Sequence, residues 1–328
     1  VGNAFRPYFP ARPPFLLRAI KLPRLTDIWR TGIVRAPMTR IIEAGSLDDG
    51  EIVWLPQGRP FTFLADPFAI WREAQLFVFV ETFDYRNRIG GIDVLTFDAE
   101  LRLIDLRLAL REPWHLSYPA IVEAEGETYM LPEAHRSGRL TLYRATEFPC
   151  RWESIAEITL DCAPVDATPF FFDGFWWLLY SPSASKRGKV SRLHIAFAER
   201  LTGPWHIHPS NPVRIDQSSA RPGGTPILVD GCILAPMQDC TRTYGGAIRP
   251  LRITRLTTTA FEAEAKAAIR APASFAPFVD GLHTLSACGD LTLIDAKRID
   301  RSLQGLRIDA ARHLRRLFPI SAPSSPTG

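Results

Sequence analysis

The chain has 328 residues, 46% hydrophobic, 11% aromatic and 23% charged, with a formal net charge of +4. That apolar content excludes a wholly disordered chain, and no run approaches the roughly 18–20 consecutive apolar residues of a membrane-spanning helix. The charge is uneven: residues 1–40 carry a local +7 and residues 297–328 a local +5, which leaves a body of −8 and argues against nucleic acid as the main partner.

Residues 1–60 read as a leading extension that packs on the outside of the main body. Its first part, VGNAFRPYFPARPPFLLRAIKLP, is basic and apolar, but its prolines interrupt any signal-peptide core, and a cytoplasmic location is expected. Residues 61–298 show little helical periodicity. Short runs of β-branched and aromatic residues recur between Gly, Pro and Asp turns: QLFVFVE (75–81), ETYMLPE (127–133), RLTLYRA (139–145), FWWLLYS (175–181) and LHIAFAE (193–199). These predict strands throughout. Residues 299–328 predict an amphipathic basic helix, with Leu303, Leu306, Ala310, Leu314 and Leu317 on one stripe that docks back on the body, and then a disordered tail, SAPSSPTG. The five cysteines are scattered and form no C-x-x-C pair, which predicts reduced, buried thiols.

The strands repeat. Four hairpin turns, REA (72–74), AEG (124–126), FDG (172–174) and VDG (229–231), line up, and a fifth, CGD, stands at 288–290. Seven residues past the small turn residues Ala74, Gly126, Gly174 and Gly231 come Glu81, Glu133, Ser181 and Gln238. Eight residues before them stand Asp66, Tyr118, Asp166 and Gly223. Five units of about 50 residues predict an all-β fold, a five-bladed β-propeller.

Residues equidistant from a hairpin turn lie opposite each other. The first strand of each propeller blade lines the central channel, so all these positions ring one mouth of it. Asp66, Glu81, Glu133 and Asp166 then converge, with Asp239 a candidate fifth carboxylate. Converging carboxylates suit acid–base work on a glycosidic bond: one must be ionised and another must stay protonated. Each alone is equally a turn former or surface acid; the repeated register is what sets them apart. Arg221 has two open readings, a planar fork for a ligand carboxylate or phosphate, or a counter-charge for the acidic cluster. Gln238, Asp239 and Tyr244 are candidates for bonding sugar hydroxyls, and Tyr118 for lining the pocket, while FWWLLY reads as core packing.

The segments ADPF (65–68), SYPAIVEAEGETYMLPE, VDATPFFFDGFWWLLYS, LTGPWHIHPSNPV, ARPGG and MQDCTRTYGG occur in this order. Together they resemble the N-terminal propeller domain of plant glucosamine inositolphosphorylceramide transferases. That domain is similar in turn to the five-bladed propellers of glycoside hydrolase family 43. The resemblance covers roughly residues 27–296. It implies that Asp66 matches the general base of the inverting hydrolases and Asp166 the carboxylate that tunes the acid and orients substrate. It also implies that the last-blade His283 helps hold a structural cation, often calcium, at the axis; a hydrogen-bonded channel histidine is the alternative. No other cofactor is required. The fourth blade departs from the pattern, with Arg221-Pro222-Gly223 where the hydrolases carry the general-acid Glu in a Glu-Gly-Pro context. A guanidinium cannot donate a proton at neutral pH. Glu133, beside apolar Leu131 and Pro132, is the substitute expected to carry a raised pKa.

Phosphate-loop, nucleophile-elbow, zinc-protease and dinucleotide signatures are absent from the sequence; GGI (90–92) and RPGGT (221–225) read as turn or rim glycines. The transferase activity in the plant family's name is expected in a separate domain. The expectation is a glycan-active propeller, a glycoside hydrolase or transglycosidase whose partner is a carbohydrate or glycoconjugate. The alternative is a propeller that binds a carbohydrate or glycolipid without turning it over.

Overall fold

The computed structural model describes residues 25–48 and 50–317. Five antiparallel sheets of four or five strands follow one another around a closed ring. The first blade is Thr62–Arg72, Gln75–Asp84, Gly91–Phe97 and Leu103–Leu110. The second is Ser117–Ala124, Glu127–Glu133, Thr141–Glu147 and Arg151–Glu157. The third opens with Pro164–Phe172, Phe175–Pro182 and Arg192–Ala198. The fourth is built on Arg221–Pro222, Ile227–Val229, Cys232–Asp239, Ala247–Leu256 and Phe261–Ala265. The expected five-bladed propeller is the observed fold.

The fifth blade corrects the expectation for residues 1–60. Only its two inner strands, Gly281–Cys288 and Leu291–Asp300, come from the end of the chain; Thr26–Val34 and Ile52–Trp54 supply the outer two. Thr26–Val34 pairs along its whole length with Thr292–Asp300. Residues 26–54 are therefore not an outer extension but the closure of the ring. Pairing an early strand with a late one in the same blade ties the ring shut. Residues 1–24 lie outside the described residues, as does the expected disordered tail.

The inner hairpins turn in two residues, and in four of them both central residues have positive φ: Glu73 and Ala74 (49° and 61°), Glu125 and Gly126 (53° and 81°), Asp173 and Gly174 (49° and 81°), Asp230 and Gly231 (49° and 71°). That backbone matches the twist of the flanking strands, which explains the Asp-Gly and Glu-Gly pairs. Five apolar seams hold the ring together, one between each pair of neighbouring blades. Phe77, Phe79 and Val94 meet Leu116, Met130 and Tyr143 between the first two. Trp177, Leu179 and Ile195 meet Ile233, Ala235 and Leu251 between the third and fourth. All five cysteines are unpaired, two buried and three half-buried.

The C-terminal helix, Leu303–Leu317, docks on the first and fifth blades, though not by the expected stripe. Leu303 and Leu314 are exposed, and so is Ala310. The contact face is Gly305, Ile308 and Arg312: Ile308 packs on the core and Arg312 donates to the Tyr85 carbonyl at 3.0 Å. A Cβ at Gly305 would stand 2.7 Å from Thr26 Oγ1, so the helix sits too close for the Leu stripe to be underneath.

Candidate active site at the propeller mouth

The inner strands of the first three blades are broken at the same place. Register shifts fall between Ala65 and Phe68, Ser117 and Ala120, and Val165 and Thr168. In each bulge the first extra residue is left-handed: Asp66 at φ 50°, Tyr118 at 46° and Asp166 at 50°. A non-glycine residue there is strained, and bulges re-aim side chains. The bulge also moves the pairing by one, so Ala65, Ser117 and Val165, not the residues after them, oppose Glu81, Glu133 and Ser181. In the fifth blade the extra residue is His283.

The bulged N–H groups leave the ladder, and carboxylates of the preceding blade receive them. Asp295 Oδ2 accepts from Asp66 N at 2.9 Å, Asp66 Oδ2 from Tyr118 N at 3.2 Å, and Glu133 Oε2 from Asp166 N at 3.3 Å. Asp66, Glu81, Glu133 and Asp166 are all at most 7% exposed, and Glu81 feels the charges of the other three. Asp295, fully buried, joins them.

The protonation of this group is split. Burial pushes Glu81 well above the usual carboxylate range, and the charges of Asp66, Glu133, Asp295 and Asp166 push it the same way. Burial also lifts Asp66, to about 6, with His283 opposing and Asp295 reinforcing. Glu133 goes the other way. Burial would raise it, but His135 Nδ1, a side-chain hydrogen bond with Asp166 and the charge of Arg221 outweigh that and hold it at about 2. The raised pKa expected for Glu133 from Leu131 and Pro132 is thus reversed by His135, two residues on in the chain, and by Arg221, which only the fold brings near. Burial drives Asp166 up against the pull of Arg221.

Arg221 settles between its two readings. Its Nε and Nη2 fork onto Asp166 at 2.7 and 3.3 Å, Nη1 donates to the Lys189 carbonyl, and Nη2 reaches the Tyr244 hydroxyl at 3.4 Å. The fork is spent on Asp166, and the ligand-binding reading of Arg221 is set aside. Gln238 Nε2 donates to Asp166 Oδ2 and to the Pro222 carbonyl, which leaves its buried Oε1 without a partner in the protein. Tyr244 sits at the rim, 37% exposed, with its ring over Arg221.

Two expected pocket residues are used elsewhere. Tyr118 is fully buried; its hydroxyl meets Thr168 Oγ1 at 2.8 Å and accepts the Gly224 N–H at 2.7 Å, tying three blades together. Asp239 accepts from Thr241 N and Oγ1 and from Arg249, so it shapes its own turn. Trp177 is core, as expected.

Asp66, His283 and Asp295 bring one candidate ligand atom each within 4.8 Å of one another. Asp295 does not fit as a ligand. Its Oδ1 takes the N–H groups of His283 and Thr284 and faces His283 Nδ1 at 2.7 Å, while Oδ2 takes Asp66 N and Thr284 Oγ1. Its lone pairs are committed, and it orients the imidazole so that Nε2 faces Asp66 Oδ1 at 3.4 Å. An axial cation fits only on His283 Nε2 and Asp66, with Asp295 as the group that aims the ring.

Sequence reasoning missed Asp295, Thr284, His115, His135 and Lys189. Asp295 stands six, not seven, residues past Gly289, so the repeat arithmetic passes over it. Lys189 Nζ meets His135 Nε2 at 2.9 Å, a contact across 54 residues that no local signal announces.

Residues 53–276 match the family described as glucosamine inositolphosphorylceramide transferase 1, N-terminal. The chain belongs to that family. It is 37% identical over 205 residues to glucosamine inositolphosphorylceramide transferase 1 of Oryza sativa subsp. indica, covering 61% of this chain and 27% of the relative. To the Arabidopsis thaliana protein of the same name it is 33% identical over 245 residues, covering 73% and 31%. The chain thus spans less than a third of the length of these relatives. Among solved structures it is similar to Zg3597, a family 117 glycoside hydrolase from Zobellia galactanivorans. That likeness has a TM-score of 0.53 at 14% identity, over 76% of this chain and 89% of the other. It is also similar to 1,3Gal43A, an exo-β-1,3-galactanase from Clostridium thermocellum, with a TM-score of 0.51 at 12% identity, over 66% and 53%. At those identities the likeness is one of fold. The motifs ADPF, VDAT and MQDCTRTYGG stand within the stretch that matches the family.

Proposed function

We propose that the propeller mouth processes a glycosidic bond of a glycoconjugate, with Asp66 as general base and Glu81 as general acid. The observation that carries this reading is the split in protonation: Glu81 is driven to stay neutral while Asp66 titrates at about 6. A pair of carboxyls in opposite states is what acid–base cleavage of an acetal requires. In a single displacement, Asp66 takes a proton from water as the water oxygen bonds to the anomeric carbon. The glycosidic C–O bond breaks, and the Glu81 proton goes to the leaving oxygen. Glu133 is ionised and does not serve as the acid; with Arg221 it holds Asp166, which faces the same mouth. Tyr244, 37% exposed, is the polar group offered to sugar hydroxyls, with the buried, unpartnered Gln238 Oε1 behind it. His283 Nε2 would hold a cation at the axis, whose positive charge would lie beside the base.

Family membership supports a glycoconjugate as the ligand class, since the relatives are named for a glycolipid transferase. A second reading, a module that binds a glycan without turnover, is favoured by one observation: the fourth-blade position holds Arg221, tied to Asp166. The test is turnover of a panel of aryl glycosides and glycolipid-derived oligosaccharides, followed by release of free sugar. Hydrolysis by the wild type, lowered at least ~100-fold in both Asp66→Asn and Glu81→Gln, is the expected result. Binding that survives in all three proteins with no release in any selects the module.

A further inference from the structure

Gly90 and His115 belong to the loops that flank Glu81. The Gly90 N–H donates to His115 Nδ1 at 2.8 Å, and Leu116 N returns a bond to the Gly90 carbonyl at 3.1 Å. An amide N–H can only donate, so Nδ1 carries no proton and the neutral ring carries its hydrogen on Nε2. That nitrogen stands 3.5 Å from Glu81 Oε1. No side chain fits at position 90: a Cβ there would lie 2.5 Å from the Leu116 carbonyl, 2.8 Å from His115 Nδ1 and 2.9 Å from Glu81 Oε1. The glycine that reads as a rim turn in the sequence is the floor of this contact.

We propose that His115 is a positioning residue for Glu81: locked by Gly90 in the Nε2–H form, it holds Oε1 and leaves the transferable proton on the opposite oxygen. This rests on the reading of Glu81 as the proton donor. When the proton leaves, the same Nε2–H stabilises the carboxylate, because hydrogen bonds to charged acceptors are stronger than to neutral ones. The separation of 3.5 Å is long for a hydrogen bond, and catalytic contacts of this kind tighten when substrate fills the site. The ring itself stays neutral: burial holds it at about 4, with Glu133 raising and Arg136 and His135 lowering it. Glu81 faces Asp66, Glu133, Asp295 and Asp166, all acidic, so His115 is the donor set against them.

Two measurements test this. The ¹⁵N shifts of His115 in the wild type report its tautomer and need no variant; Nε2–H is expected, and Nδ1–H overturns the proposal. The ¹³C titration of the Glu81 carboxyl, assigned with Glu81→Gln, is then compared in His115→Phe and His115→Gln. Loss of the donor in the Phe variant should raise the Glu81 midpoint by about one to two pH units, and the amide of the Gln variant should recover part of that shift. The basic limb of any kcat/KM profile should move with it while KM holds. A folded His115→Phe protein with an unmoved midpoint overturns the proposal. Ionised Glu81 in the wild type at pH 7 has a different meaning: it removes Glu81 as the acid, whatever His115 does.

Discussion

Tyr118 shows how one side chain links blades that are far apart in sequence. It sits at the register position of Asp66 and Asp166, yet its ring is buried and its hydroxyl serves Thr168 and Gly224 across two blade boundaries. Tyr118→Phe keeps the ring but strands the Gly224 N–H in a buried site. A loss of about 1–3 kcal/mol is expected in urea denaturation, with no direct effect on chemistry at the mouth. The periodic arithmetic finds the position of Tyr118, but the residue type decides its use. A carboxylate at that bulge reaches the mouth; a phenol there reaches beneath it.

At the scale of the element, the inner strands are defined by their bulges. The hairpin turns are legible because Asp-Gly and Glu-Gly pairs adopt positive φ cheaply, and they set the seven-residue offset that locates Glu81, Glu133 and Gln238. The bulges have no such signature, so the pairing slips by one, and Ala65, Ser117 and Val165 take the places opposite Glu81, Glu133 and Ser181. The fourth blade shows the cost of close approach. Gly224 has φ +135°, and a Cβ there would lie 2.1 Å from the Leu285 carbonyl, backbone against backbone. Gly224→Ala should therefore separate the fourth and fifth blades locally. Exchange of the Leu285 amide, which bonds to the Gly223 carbonyl at 2.8 Å, should accelerate at least ~10-fold while amides of the second blade hold. Equal acceleration throughout would point to global destabilisation instead.

For the whole molecule, the acidic mouth sets a pH dependence of stability. Glu81 is raised in the folded state above its ordinary value of 4.5. The unfolded chain therefore releases that proton first, and stability falls as pH rises above 4.5. Glu133, held at about 2, works in the opposite sense: its contribution is present above pH 4.5 and is lost as pH falls toward 2. Glu81→Gln removes the first penalty. It should raise Tm relative to the wild type at pH 7, by roughly 2–4 °C for each kcal/mol gained, and leave Tm unchanged at pH 4. A Tm lowered at pH 7 would mean that Glu81 is paired favourably there. The site would then be built for stability rather than held at its expense.

The sequence by itself determined the all-β class, the five-fold period, the hairpins and the repeat register on which Asp66, Glu81, Glu133 and Asp166 stand. Each follows from local backbone preference and the alternation of strands, which depend on residues close together in the chain. Only the tertiary structure decided that residues 26–54 close the fifth blade, that Arg221 is spent on Asp166, and that Arg221 and His135 hold Glu133 ionised. The ring closure and the Arg221 contacts join residues 50 or more apart, and His135, two residues from Glu133, acts on a carboxyl that only folding buries. Desolvation and neighbouring charge fix a carboxyl's proton, and neither acts until the ring has closed.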